Sequence, residues 1–106
     1  MRENDYQAHL IKRLHKLFHG CIILKNDTDY IQGIPDLTVL YYGKWAVLEV
    51  KASAKASTQP NQEWYINELN RMSFAAFIYP ENEEEILDDL QRALKPHRST
   101  RISVGL

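Results

Sequence analysis

One cysteine, four glycines and four prolines are spread thinly through 106 residues. A lone Cys21 excludes an intramolecular disulfide and suits a reducing compartment. No apolar run approaches the roughly 20 residues that span a bilayer, and Arg2, Glu3 and Asp5 make the N-terminus unlike a secretory signal. Internal repeats and low-complexity segments are absent as well. The expectation is a single domain, residues 1–106, that works in the cytoplasm with no membrane partner and no nucleotide cofactor.

Net charge is almost lacking too: 13 Lys and Arg against 14 Asp and Glu leave −1. The distribution is less even than the total. Glu81, Glu83, Glu84, Glu85, Asp88 and Asp89 hold six of the acids. Without those six, 13 basic residues face eight acidic ones, a surplus of five positive charges. A basic face with a separate acidic edge permits contact with a polyanion without requiring it.

What is present is a clear alternation of periodicities. Tyr6, Leu10, Leu14, Leu17 and Phe18 recur at helical spacing, which predicts a helix over 3–19 stopped by Gly20. Glu3 begins the same stripe, and Lys12, Arg13 and Lys16 lie away from it on a solvated face, with phosphate contact as the alternative. Cys21–Lys25 reads as a short strand and Asn26–Gln32 as a loop. Asp27 and Asp29 do not continue as a calcium loop and read as turn residues. Ala52–Pro60 is small and polar, a loop. A helix from Pro60 or Asn61 to Arg71 puts Gln62, Ile66 and Leu69 on one face. Ser73–Tyr79 is the last strand, and Asn82–Leu94 a helix with an acidic first turn, ended by Pro96. The order is α-β-β-β-α-β-α. A hairpin followed by a helical crossover implies an α/β fold with a mixed sheet flanked by helices.

The organising stretch is Gly33-Ile34-Pro35-Asp36, then Leu37–Tyr42, a Gly43-Lys44 turn, and Trp45–Lys51. Glu49 and Lys51, two apart on a strand, point the same way. A two-residue turn at Gly43-Lys44 pairs Tyr42 with Trp45 and Asp36 with Lys51, with Glu49 diagonal to Asp36. Any even-length turn keeps Asp36 on that face. Asp36 and Glu49 can then share a hard divalent cation such as Mg²⁺ or Mn²⁺, with the Val50 carbonyl as a third oxygen. Lys51 adds a positive charge that can position or deprotonate an attacking water.

Pro35-Asp36 followed by Glu49-Val50-Lys51 resembles the PD-(D/E)xK nuclease motif, and most of all the VRR-NUC nucleases and archaeal-type Holliday junction resolvases. Gly33 before the acid, Glu3 on the first helix and Gln62 on the helix after the Glu-x-Lys strand stand where those families place such residues. The resemblance covers about residues 3–80. It implies a restriction-endonuclease-like core and a Mg²⁺-dependent DNA endonuclease acting on branched or junction DNA. It also implies that Glu3 binds a second cation or a metal-bound water, and that Gln62 contacts the nucleophile or a phosphate.

Recognition without a separate reading module would rest on backbone shape and charge. Tyr30, Gln32, Lys55 and Lys12 are the candidate DNA contacts. Cutting two strands of a symmetric substrate calls for a homodimer, for which the C-terminal tail and the aromatics of the second helix are candidate interface material. The small stand-alone format suggests a phage or mobile-element setting.

Blander readings stand beside these. Asp36 opposite Lys51 is also an ordinary cross-strand ion pair. His15 and His19 lack the further ligands of a zinc site and read as solvated. Trp64, Tyr65, Tyr41 and Tyr42 more often fill a core or a dimer contact than stack on bases. A noncatalytic nucleic-acid-binding module, or an interaction domain that docks a basic partner on the acidic helix, remains the competing functional class.

Overall fold

The computed structural model describes residues 1–95. Helix α1 (Glu3–Leu17) is followed by strands β1 (Ile22–Lys25), β2 (Leu37–Tyr41) and β3 (Lys44–Val50), then α2 (Pro60–Met72), β4 (Phe74–Ile78) and α3 (Glu83–Leu94). A 3-10 turn, Pro80–Asn82, leads into α3. The four strands form one sheet in the order β1-β2-β3-β4. The first three pair antiparallel, and β4 returns parallel to β3 after α2. This is the anticipated α/β architecture with a mixed sheet, element for element. Pro96 and the tail residues His97, Arg98, Arg101 and Ile102–Leu106 lie outside the described residues.

Alternation along the strands sorts side chains into two layers of unequal size. Leu37 and Val39 of β2, Ala46, Leu48 and Val50 of β3 and Ile78 of β4 face α1 and α3. There they meet Tyr6, Leu10, Leu14 and Phe18 from the first helix and its end, and Leu87, Leu90 and Leu94 from α3. Spacing by four in α1 and by three and four in α3 gives each helix one buried stripe. On the opposite face α2 supplies Ile66 and Leu69 over Val47, Ala75, Phe77 and Trp45. That smaller layer leaves the far end of the same face to charged side chains.

The hairpin turn differs from the anticipated one. Tyr41 pairs with Lys44, Val39 with Ala46 and Leu37 with Leu48, so the two-residue turn is Tyr42-Gly43 and not Gly43-Lys44. Both central residues have positive φ, 47° and 83°, the signature of the primed turn whose twist matches a hairpin. Tyr42 takes this unusual conformation while its ring packs on Tyr41, centroids 4.8 Å apart. Moving the turn by one residue shifts register by two, which preserves every facing. Hydrophobic alternation therefore could not distinguish the two turns. The consequence is local: one step beyond the ladder, Asp36 lies opposite Glu49 rather than Lys51.

Cys21 is buried, and burial pushes its thiol pKa upward. Tyr41 packs on Phe18 at 5.4 Å. Trp64 and Tyr42, in contrast, are largely exposed. Arg13 is not simply solvated: it bridges Glu83 and Glu84 and ties α1 to α3. Among the described residues, no helix is long and apolar enough to cross a membrane.

Candidate active site

Asp36 is set in place by the backbone on both sides of it. Asn26, just past β1, donates its amide N–H to the Asp36 carbonyl at 2.8 Å. Its side-chain Nδ2 donates to the Pro35 carbonyl at 2.8 Å and to Thr38 Oγ1 at 2.9 Å. Upstream, Gly33 has φ +91°, and a Cβ there would lie 2.8 Å from Asn61 Cγ and 2.9 Å from the Asn61 carbonyl carbon. The loop thus presses on the start of α2 at the one residue that can accept both the dihedral and the contact. Asp27 organises the same loop by accepting the Asp29 and Tyr30 amides on Oδ1, which bears out its reading as a turn residue.

Glu49 and Lys51 sit at the end of β3, on the face that α2 covers. Glu49 is 3% exposed and Lys51 9%. Gln62, in the first turn of α2, bridges them: its Oε1 accepts from Lys51 Nζ at 2.9 Å and its Nε2 donates to Glu49 Oε2 at 3.1 Å. The Gln59 amide also donates to Gln62 Oε1, at 3.0 Å. This amide orientation satisfies every neighbour at once. Lys51 Nζ lies 3.7 Å from Glu49 Oε2. The structure therefore brings Asp36, Glu49, Lys51 and Gln62 together.

Asp36 Oδ2 accepts the Val50 amide at 2.9 Å. The Lys51 amide turns to the Ile78 carbonyl on β4, so Val50 directs its own N–H and C=O to the β2 side, toward Asp36. The Val50 carbonyl is accordingly on the correct edge to join the two carboxylates. Glu3, the first residue of α1, is exposed but close enough for its charge to be felt at Glu49.

Burial pushes the Glu49 carboxyl pKa up to about 8, and the Asp36 charge adds to the push. Lys51 opposes them; a hydrogen bond of the protonated carboxyl with Asp36 and the charge of Glu3 raise it further. When Glu49 is ionised its Oε1 is a buried oxygen with no donor. Such an atom is costly unless it finds a proton or a cation. Among the described residues no three or more carboxylates, imidazoles or thiols gather around one point. The donor set is two carboxylates and a carbonyl, the kind of partial shell that Mg²⁺ completes with water and substrate oxygens.

The remaining candidates are distributed differently. Tyr30 (83% exposed) and Gln32 lie on the loop ahead of Asp36, and Lys55 is exposed on the loop after Lys51. Lys12 shares a groove with His9, Arg13 and Lys16 on α1. It lies nine residues along the helix from Glu3, about 13 Å by helical rise, and so does not join the site. Two contributors were missed. Asn26 ends an apolar strand and looks like loop from its neighbours alone, because its partners lie nine to twelve positions away. Glu81 accepts the Ala54 amide at 3.1 Å and pins the loop after Lys51, from within what reads as an acidic run. Of the six clustered acids, Glu81, Glu83, Glu84 and Asp89 have partners inside the chain.

Comparison of the chain with protein families, with curated proteins and with solved structures finds no match.

Proposed function

We propose that this protein is a metal-dependent endonuclease that hydrolyses DNA phosphodiester bonds, with branched or junction DNA as substrate. One observation carries the reading: once ionised, Glu49 buries an oxygen that has no donor, directly beside Asp36 and the outward-turned edge of Val50. A structural ion pair would satisfy both oxygens. A half-satisfied carboxylate at a strand end, next to a second acid, fits a hard divalent cation.

In this reading Asp36, Glu49 and the Val50 carbonyl hold Mg²⁺ or Mn²⁺, with Glu3 placed to reach a second cation or a bound water. The cation supplies Lewis-acid polarisation of the scissile phosphate and lowers the pKa of water. Lys51 places its side-chain nitrogen beside the reacting phosphate: as an ammonium it orients the attacking water, and only as a neutral amine could it take a proton from that water. Gln62 fixes Lys51 and Glu49 relative to each other, so neither has to reorganise as charge develops. Because burial raises the Glu49 pKa, a cation held there would displace a proton from its carboxyl.

The acidic-helix docking alternative is weakened by the internal partners of Glu81, Glu83, Glu84 and Asp89. The test incubates the protein with labelled junction, flap, single-stranded and duplex DNA in Mg²⁺, Mn²⁺ or EDTA, with Asp36→Asn and Lys51→Ala as controls. Cleavage should need the metal and vanish in both variants. Cleavage in EDTA, or surviving both substitutions, would falsify the mechanism; absence of cleavage on every DNA favours the noncatalytic module.

A further inference from the structure

Beyond Lys51 the site continues into a cleft of about 230 Å³, lined by Lys51, Ser53, Ala56, Thr58, Glu63 and the aromatic residues Phe77 and Tyr79, among others. Phe77 is the β4 partner of Glu49, so the cleft begins where the carboxylates end. Its outer wall is preset. Ser53 Oγ accepts the Lys55 amide at 3.2 Å, the Ala56 amide returns to the Ser53 carbonyl at 3.1 Å, and Glu81 holds the Ala54 amide.

The volume is below the roughly 300–1,000 Å³ that encloses a drug-sized ligand, so one ring system fits and a base pair does not. Phe77 and Tyr79 bring two half-buried aromatic side chains to the lining, and Ser53 and Thr58 bring hydroxyl side chains. Glu63 sets the chemical class. An acceptor-only carboxylate repels a phosphate but pairs with an exocyclic amino group. Lys51, at the inner end, provides the cation for the phosphate itself. We infer that this cleft receives one unpaired nucleotide next to the scissile phosphate, with its base against Phe77 and Tyr79 and the amino-bearing edge toward Glu63. The inference rests on the nuclease reading and deepens it: the substrate must offer a splayed base beside the cut, which a branch point does and an uninterrupted duplex does not.

The test titrates Asp36→Asn protein, which leaves the cleft intact, into DNA carrying 2-aminopurine either unpaired at a branch point or inside a continuous duplex. The unpaired base should bind about tenfold tighter or better, as stacking on an aromatic side chain provides, and its emission should be quenched. Ala56→Trp, which fills the cleft from the loop, and Tyr79→Leu should each erase that preference. Equal affinity for the two DNAs, or a preference that survives Ala56→Trp, overturns the inference. Ala56→Trp decides alone if thermal melts show Tyr79→Leu to be unfolded. Wild-type protein that cuts none of the DNAs in Mg²⁺ sinks the nuclease reading instead, and leaves this binding result to stand by itself.

Discussion

Glu49 and Glu83 are the two buried acids among the described residues, at 3% and 7% exposure, and they lie on opposite sides of the sheet. Glu83 is fully provided for: Tyr6 Oη donates to its Oε1 at 2.6 Å and Arg13 pairs with its Oε2. It joins α3 to α1 at the rim of the large apolar layer, and the Tyr6 hydroxyl pKa is driven upward by burial and by that carboxylate. Glu49, when ionised, has Gln62 on one oxygen and no donor on the other. The same residue type at the same depth is thus finished as structure in one place and left open in the other. A carboxylate kept incomplete in the interior costs stability, and such a cost persists at sites where a ligand repays it.

The largest effect that sharpens this contrast is on cleavage. Glu49→Gln removes an oxygen of the proposed metal site and should lower DNA cleavage by at least about 10³-fold, the several kcal/mol of charge stabilisation a cation gives. Folding should be intact or improved, because an amide replaces a desolvated acid. Glu83→Gln should do the reverse. It breaks the tie to Arg13 and should cost about 1–2 kcal/mol of stability, a Tm fall of about 5–10 °C for a domain of this size. Cleavage at a temperature where the protein stays folded should change less than twofold. Gel-based cleavage assays and thermal melts on the two variants check both statements; loss of cleavage in Glu83→Gln breaks the contrast.

A second effect appears in stability against pH without metal. Folding raises the Glu49 pKa to about 8, above the unfolded value of about 4.3. Below pH 4 both states are protonated and Glu49 contributes nothing. From there to pH 8 the folded state holds the extra proton, so stability falls as pH rises, by at most about 5 kcal/mol, and levels off above pH 8. Urea titrations in EDTA from pH 5 to 8.5 should show this slope in the wild type and not in Glu49→Gln. Saturating Mg²⁺ at pH 8 should restore about 2.7 kcal/mol when present at a hundred times its dissociation constant, again only in the wild type.

The contrast also explains what could be read from the residues alone. The layers were legible because apolar spacing distinguishes a helix stripe from a strand face, and all seven helices and strands fall within one or two residues of expectation. The placement of Asp36, Glu49, Lys51 and Gln62 was legible for the same reason, since facing depends only on odd or even separation. The register was not. Tyr42-Gly43 and Gly43-Lys44 both satisfy the pattern, and the choice turned on a tyrosine adopting positive φ, which propensity disfavours. Glu83 was equally hidden: within Glu83-Glu84-Glu85 nothing marks the one acid that turns inward, because its partners Tyr6 and Arg13 are 77 and 70 positions away.

Asn26 offers the smallest and most selective way to probe the open carboxylate. Its side chain touches neither Glu49 nor Lys51; it holds the Pro35 carbonyl and Thr38 hydroxyl and thereby aims Asp36. Groups that orient metal ligands from behind cost about 10–100-fold in metal affinity when removed. Asn26 keeps its backbone bond to Asp36 on substitution, so Asn26→Ala should fall at the low end, about tenfold. The loss should appear as a higher Mg²⁺ concentration for half-maximal cleavage, with the rate at saturating Mg²⁺ largely recovered, because Lys51 and Gln62 are undisturbed. Asn26→Asp, which keeps the shape but loses the Nδ2 donors, should behave as Asn26→Ala does. A rate deficit that Mg²⁺ does not relieve would mean that Asn26 acts on the reacting groups directly, and that the site extends further toward β1 than its hydrogen bonds indicate.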